Sequence, residues 1–290
     1  MPNPSLTLSK HSSPVRTRVL LLGVLLFAAG VFSLAASVPD AGAVKTKRLV
    51  LGKAKNRLEP NCGKNFSRDC IVEGKVTGYQ VRRKGTERKN SFRVPFKGKL
   101  VSWSISLSRP TKGVITKGDT DHPAQLPFFN DLFGSPASAR IAVLRQVDKK
   151  KGGPPKWRMV RQSPVQILNP YFGRTVHFSL SKPLNVIPKQ VVALTIPTWA
   201  PAVWKPRSCS FNPISGVQDP DACAQAEKDY TWRASRAKDK CKLGIDPDTG
   251  QPNEALAKTG PQQKVNSERR YGCYYGSNVL LYTATLIGKN

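Results

Sequence analysis

Apolar and polar residues alternate in short runs between about residues 70 and 200 of this chain. Over residues 101–108 each apolar residue is followed by a serine, and residues 175–180 alternate in a similar way. A period of two is typical of a β-strand that buries one face. The pattern therefore predicts strands at 101–107 and 175–180, with Trp103 in the core and His177 on the outer face.

Further runs of β-forming residues are separated by Gly, Pro and Asn, and they predict strands at 71–81, 91–94, 140–147, 158–168, 191–196 and 279–287. The last run is almost wholly apolar, so we expect it inside a sheet and buried on both faces. Many short strands favour an all-β fold. We predict an antiparallel, jelly-roll-like β-sandwich formed by residues 70–204 and 271–290.

Residues 205–270 lack this alternation and are rich in cysteine and in turn-forming residues. Asp219 followed by Pro220 is typical of a helix start, with Asp as the N-cap and Pro in the first turn. Alanines continue at helical spacing, which predicts a short helix near 220–238. We therefore expect a disulfide-stabilised, partly helical insertion before the last strand.

Five segments carry a resemblance to other proteins: FRVPFKGKLVSWSISL (92–107), ARIAVLR (139–145), VRQSPVQIL (160–168), YFGRTVHFSL (171–180) and VVALTIPTWAPA (191–202). Over residues 70–287 the chain resembles exported actinobacterial β-sandwich proteins of unknown function. The resemblance implies a single sandwich behind a signal peptide. It implies no site residue.

The first 43 residues resemble an export signal. Three basic residues and no acidic residue precede the apolar run 19–36, and Ala41 and Ala43 offer a cleavage site before Val44. The alternative is an uncleaved signal anchor, because 18 apolar residues approach the length that crosses a bilayer. In both cases residue 44 onward is expected outside the cell, where residues 44–69 would form a basic tether.

All six cysteines follow this signal, and an even number in an exported chain favours three disulfides. Zinc is the alternative, but no C-x-x-C pair occurs, so we expect no metal. Proximity pairs Cys62 with Cys70. The pairing among the other four stays open: Cys209, Cys223, Cys241 and Cys273.

The chain is strongly basic, with 47 Lys and Arg against 18 Asp and Glu. Residues 1–43 hold three of these basic residues and one acidic residue, so residues 44–290 carry a formal charge of +27. Such a surface attracts polyanions, here a wall polymer, an anionic lipid or a nucleic acid. The alternative is that the charge serves only solubility or general adhesion. No specific protein partner is predicted.

No catalytic motif is evident. A glycosidase needs two facing carboxylates, and most acidic residues between 71 and 203 lie in predicted turns; Glu73 is the exception. No G-x-S-x-G nucleophile motif occurs. We expect no catalytic residue and no cofactor.

Trp199 and Trp204 flank the end of the predicted sandwich, and Lys205 and Arg207 follow. An exposed Trp beside basic groups can stack on a sugar or a base, so these four residues are the predicted binding site. The alternative is that one or both rings cap the core.

The sequence thus predicts an exported, non-catalytic binding protein of the cell envelope or exterior. Two alternatives are a glycan-active enzyme on a jelly-roll-like sandwich and a membrane-anchored structural protein of the envelope.

Overall fold

Antiparallel strands build most of the regular structure of this chain. The computed structural model describes residues 46–61, 71–86, 88, 90–110, 125–147, 153–209, 211–212, 216–217, 219–241 and 259–289. The strands in the first half are β1 (Thr46–Leu51), β2 (Glu73–Arg83), β3 (Gly98–Ser106), β4 (Ser138–Gln146), β5 (Lys156–Gln162), β6 (Gln166–Ile167), β7 (Thr175–Val186) and β8 (Val191–Ala200). Those in the second half are β9 (Val203–Trp204), β10 (Phe211–Asn212), β11 (Gly216–Val217), β12 (Tyr230–Ala234), β13 (Glu268–Arg270), β14 (Cys273–Gly276), β15 (Val279–Leu280) and β16 (Tyr282–Lys289). Two helices are α1 (Gln125–Phe133) and α2 (Pro220–Asp229).

These strands form two principal sheets. The smaller has four strands in the order β1-β16-β3-β7. The larger has the order β13-β5-β4-β8-β2-β12-β14, with β6 added beside β4. One buried apolar cluster takes side chains from both sheets, among them Trp103, Leu286, Ile141 and Val192. The structure thus confirms the predicted all-β, antiparallel, sandwich-like fold.

The strands predicted from strict alternation are present. Trp103 on β3 is buried, and Ser102 and Ser106 face outward between its apolar neighbours. The last long strand, β16, lies between β1 and β3, so its predicted interior position is confirmed. Its burial on both faces is wrong, because Thr283, Thr285 and Ile287 alternate with the buried residues and stay half exposed.

The segment predicted as a basic tether contains a strand. β1 pairs antiparallel with β16 over its whole length, from Thr46 opposite Lys289 to Leu51 opposite Ala284. Leu51 is buried in the core. A tether over residues 44–69 is therefore wrong for residues 46–51, because this stretch pairs with β16 and its Leu49 and Leu51 pack against the core.

Residues 205–270 were predicted as an insertion, and part of this segment belongs to the larger sheet. Asp219 caps α2 as expected, since its carboxylate accepts a hydrogen bond from the Ala222 backbone N at 2.9 Å. The helix ends at Asp229 rather than near 238, because Tyr230 turns to an extended conformation and begins β12. β12 pairs with β2 on one side and β14 on the other, so it completes the sheet.

Two disulfides join the cysteines of this region, Cys209 with Cys223 and Cys241 with Cys273. The prediction that these four pair among themselves is confirmed, and the structure supplies the order. The predicted Cys62–Cys70 bond and the export signal lie outside the described residues. The two disulfides are consistent with an extracellular, oxidising location.

Helix α1 was not predicted. Phe129 and Phe133 lie four residues apart on one face of it and are buried, Phe129 against Trp199 at the end of β8 and Phe133 beside Gly74 of β2. Neither α1 nor α2 has the length and apolar character that crossing a membrane requires, and the same holds for every helical residue that the structure describes.

Candidate functional site

A basic pocket lies where β1 leaves the smaller sheet. Its volume is about 460 Å³, and its described lining residues are Arg48, Leu49, Val50, Gly52, Lys53, Thr86, Arg88 and Ser91. Arg48 and Lys53 are exposed, so the pocket opens to solvent. The three charged residues in this lining are all cations. An anion is therefore the ligand that its electrostatics favour.

The first wall of the pocket is the end of β1 and the turn that follows. Gly52 adopts a φ of +78°, in the left-handed region that favours glycine. A Cβ atom at this position would lie 2.1 Å from the Phe92 ring, which is itself stacked on Tyr282 with ring centroids 4.2 Å apart. Two independent reasons therefore require glycine at this position: the left-handed backbone conformation and the lack of space for a Cβ atom.

The second wall is the turn after β2. Ala54 forms a β-bridge with Thr86, and the Lys55 backbone N donates to the Gly85 carbonyl at 2.9 Å. The Thr86 hydroxyl lies 2.8 Å from the Arg83 carbonyl, which closes the turn internally. These backbone contacts hold the turn against the segment that follows β1, so the cations of two distant stretches face one cavity.

Two guanidinium groups at the pocket have donors without an acceptor. Arg88 Nη2 donates to the Arg93 carbonyl at 3.3 Å, whereas Nη1 is buried and has no hydrogen-bond partner among the described residues. Arg83 Nη1 donates to the Gly52 carbonyl at 3.1 Å, and its Nε is buried and similarly unpaired. Burial lowers the pKa of Arg83, and Tyr230 opposes this shift. Unpaired buried donors also occur elsewhere among the described residues, for example Trp103 Nε1 and Arg140 Nε, so they do not by themselves mark a ligand site.

The predicted binding residue Trp199 is not available to a ligand. It is fully buried, and its indole N–H donates to Asn130 Oδ1 at 3.0 Å. Its ring packs between Phe129 of α1 and Phe172 at centroid distances of 5.3 and 5.6 Å. The prediction that Trp199 stacks on a ligand is wrong, because α1 covers it and makes it part of the core.

The other three predicted residues remain together at the surface. Trp204 is half buried and meets the Tyr230 ring edge-on, with centroids 4.9 Å apart. The Lys205 backbone N donates to Asn61 Oδ1 at 2.6 Å, and the amide of Asn61 donates back to the Lys205 carbonyl at 3.1 Å. Arg207 is exposed.

Contacts connect these residues to the basic pocket. Tyr230, which meets the Trp204 ring, pairs with Arg83 across β12 and β2. The Arg83 side chain in turn bonds to Gly52 in the pocket wall. Residues 53–61 run from the pocket to the Asn61–Lys205 contact and expose Lys53, Lys55 and Arg57 on the way. Glu59 is also exposed on this path, so the two groups are joined by a stretch with three exposed cations and one exposed carboxylate.

Glu73, the acidic residue singled out on a strand, is inside the protein. Its carboxylate lies 3.5 Å from Arg236 Nη1, and both side chains are almost completely buried. Arg236 also donates to the Tyr275 hydroxyl at 2.8 Å and to the Gly74 carbonyl at 2.7 Å. Burial raises the pKa of Glu73, and Arg236 opposes the shift. This arrangement is a structural ion pair that joins β2 to the segment after β12.

No group of three or more His, Cys, Asp or Glu side chains that could hold a metal occurs within the described residues. Sequence reasoning missed Arg48, Lys53 and Arg88. The available signal was the density of basic residues at 44–58 and 82–89. What the sequence does not show is that these two stretches face each other.

In comparisons with known proteins, the sequence matches no family model, no curated protein and no solved structure.

Proposed function

We propose that this is an exported, non-catalytic protein that binds an acidic polymer of the cell envelope or exterior through its basic pocket. The observation that carries the proposal is the solvent-open cavity lined by Arg48, Lys53 and Arg88, whose charged residues are all cations. Glycan hydrolysis would need two carboxylates facing the substrate, and the charged residues of this lining favour an anion instead.

The polymer extends beyond the pocket toward Trp204, Lys205 and Arg207. The contacts through Arg83 and Tyr230 support this path, as do the exposed cations of residues 53–57. Trp204 adds stacking, while the lysines and arginines add charge neutralisation.

Binding isotherms of the purified protein with a wall polymer, anionic-lipid vesicles and duplex DNA over a range of salt concentrations test the proposal. We expect affinity to fall steeply with salt, since each phosphate contact on duplex DNA contributes a slope of about −0.9 in log K against log salt. Arg88→Gln should weaken binding and flatten the slope by about one contact. Trp204→Ala should weaken binding with little change in slope, since stacking releases few ions.

Arg174→Gln is the matched control. It removes the same charge at the start of β7, beside the Leu107 end of β3 and at the opposite end of the smaller sheet from Arg48. It should change affinity far less than Arg88→Gln does. Salt-insensitive binding, or no binding to any polyanion at low salt, would refute the proposal.

Export is the second part of the proposal, and the two disulfides and the apolar run at 19–36 support it. Mass spectrometry of the protein from its own culture should find a new N-terminus between residues 35 and 44. An intact Met1 in a membrane fraction would favour the anchored alternative, and a full-length cytosolic chain would refute export.

A further inference from the structure

The Arg88 side chain forms part of the cavity wall. Its Nη2 donates to the Arg93 carbonyl at 3.3 Å, and its backbone carbonyl accepts a hydrogen bond from the Thr86 hydroxyl at 3.2 Å. Nη1 has no hydrogen-bond partner among the described residues, and because it is buried, a ligand in the cavity reaches it only after the side chain rotates. A guanidinium turned toward the cavity is suited to a planar, two-point contact with an oxyanion.

The number of positive charges favours a particular oxyanion. Arg48, Lys53 and Arg88 bring three cations to one cavity. A carboxylate carries one negative charge, which leaves two of the three positive charges uncompensated. A phosphate monoester offers three terminal oxygens and a charge near −2 at neutral pH, and such groups are what arginine clusters commonly bind.

The cavity also has room and surface for more than the anion. About 460 Å³ is within the range of pockets that hold small organic molecules. The Leu49 side chain packs against the core, whereas Val50, on the same face of β1 as Arg48, forms an apolar part of the lining. That surface fits the carbon skeleton to which a phosphate is attached.

We infer that the basic pocket is a phosphate site, which holds a phosphate monoester group carried by the acidic polymer together with the carbon unit that bears it. The inference rests on the proposed function and names the chemical class of the polymer. Arg88, turned toward the cavity, binds the phosphate oxygens, Arg48 and Lys53 neutralise the remaining charge, and Val50 contacts the attached unit.

Calorimetric titration of the purified protein with inorganic phosphate and with acetate, at constant ionic strength and pH 7, tests the inference. Phosphate should bind at least about tenfold more tightly than acetate, because it engages more donors with more charge. Arg88→Lys keeps the charge and loses the guanidinium fork, and it should weaken phosphate binding about tenfold. Lys53→Gln should weaken it a few-fold, and Arg174→Gln should leave it within about twofold. Phosphate should also displace the bound polymer.

Far-UV circular dichroism and the melting temperature check that each variant is folded. Lys53→Gln replaces an exposed residue, so of these variants it should disturb folding least. If Arg88→Lys binds phosphate as tightly as the natural protein, or acetate binds as well as phosphate, the inference is overturned even where the polymer still binds. If no polymer binds at low salt while Arg88-dependent phosphate binding persists, the phosphate site stands and the proposed function fails.

Discussion

Gly52 allows a direct test of how tightly the pocket wall is packed. Its φ is +78°, and the nearest Phe92 ring atom is 2.1 Å from where a Cβ would lie. The ring cannot easily retreat, since Phe92 is buried and stacked on Tyr282, whose hydroxyl donates to the Val192 carbonyl at 3.0 Å. Gly52→Ala therefore forces either the turn or the core to move.

Two costs add in this substitution. An alanine in the left-handed region costs about 1–2 kcal/mol relative to glycine. Overpacking a filled core costs about 1–3 kcal/mol more. We expect Gly52→Ala to lower the free energy of unfolding by about 2–5 kcal/mol, measured by urea denaturation with the disulfides intact.

Gly85 provides the matched control. Its φ is +79°, almost identical to that of Gly52, but a Cβ there would meet no atom closer than 3.6 Å. Gly85→Ala should show only the conformational cost of about 1–2 kcal/mol. The difference between the two variants isolates the clash with Phe92. Equal losses, within about 0.5 kcal/mol, would show that Phe92 does not press on Gly52 and would refute the packing argument.

Three further predictions concern the core. Trp199→Phe should lower the free energy of unfolding by about 1–3 kcal/mol, because Asn130 Oδ1 loses its donor, and should leave polymer affinity unchanged. Replacing both cysteines of Cys209–Cys223 or of Cys241–Cys273 by serine should cost about 3 or about 4 kcal/mol, since the bonds close loops with sequence separations of 14 and 32 residues. Burial raises the pKa of Tyr79 to about 12, and Arg233 opposes this shift, so unfolding monitored against pH should show stability declining between pH 10 and about 12.

Each of these has a result that would count against it. A loss of polymer affinity in a folded Trp199→Phe variant would indicate that Trp199 does contribute to the binding site. If the melting temperature did not change after the two disulfides were reduced, the disulfides would not stabilise the fold. For Tyr79 the unfolded chain releases its proton near pH 10 while the folded chain retains it, so stability is fully present below pH 10 and falls above it. Tyr79→Phe should flatten the decline in that range, and an unaltered decline would contradict the assignment.

Strands with strict alternation could be predicted from the sequence, because a period of two residues places the apolar side chains on one face of the strand, and that face is buried. β3 shows this, since Trp103 and Ile105 are buried as the pattern requires. β1 could not be predicted from the sequence. Three of its six residues are charged or carry a hydroxyl, so the segment has little apolar signal. Its stability comes from pairing with β16, more than 200 residues away in the chain.

The wrong expectation for Trp199 follows from the unpredicted helix. Without α1, Trp199 at the end of β8 would face solvent. With Phe129 against its ring and Asn130 accepting from its indole N–H, it is part of the core. The signal for α1 was the Phe129–Phe133 spacing, which Pro127 within the same segment obscured. The binding pocket was hidden for a different reason, because its cations are contributed by stretches about 40 residues apart that only the bridge between Ala54 and Thr86 brings together.

Because β1 forms a pocket wall, cleavage or retention of the predicted export signal would affect the proposed function. Roughly nine residues separate the apolar run 19–36 from Thr46 at the start of β1. Fully extended, such a stretch spans about 30 Å. In a chain that stayed anchored, the short linking stretch would therefore limit the polyanions available to the pocket to lipid headgroups and the innermost wall polymers. Cleavage before Val44 would keep β1 complete and release the pocket to reach polymers farther out.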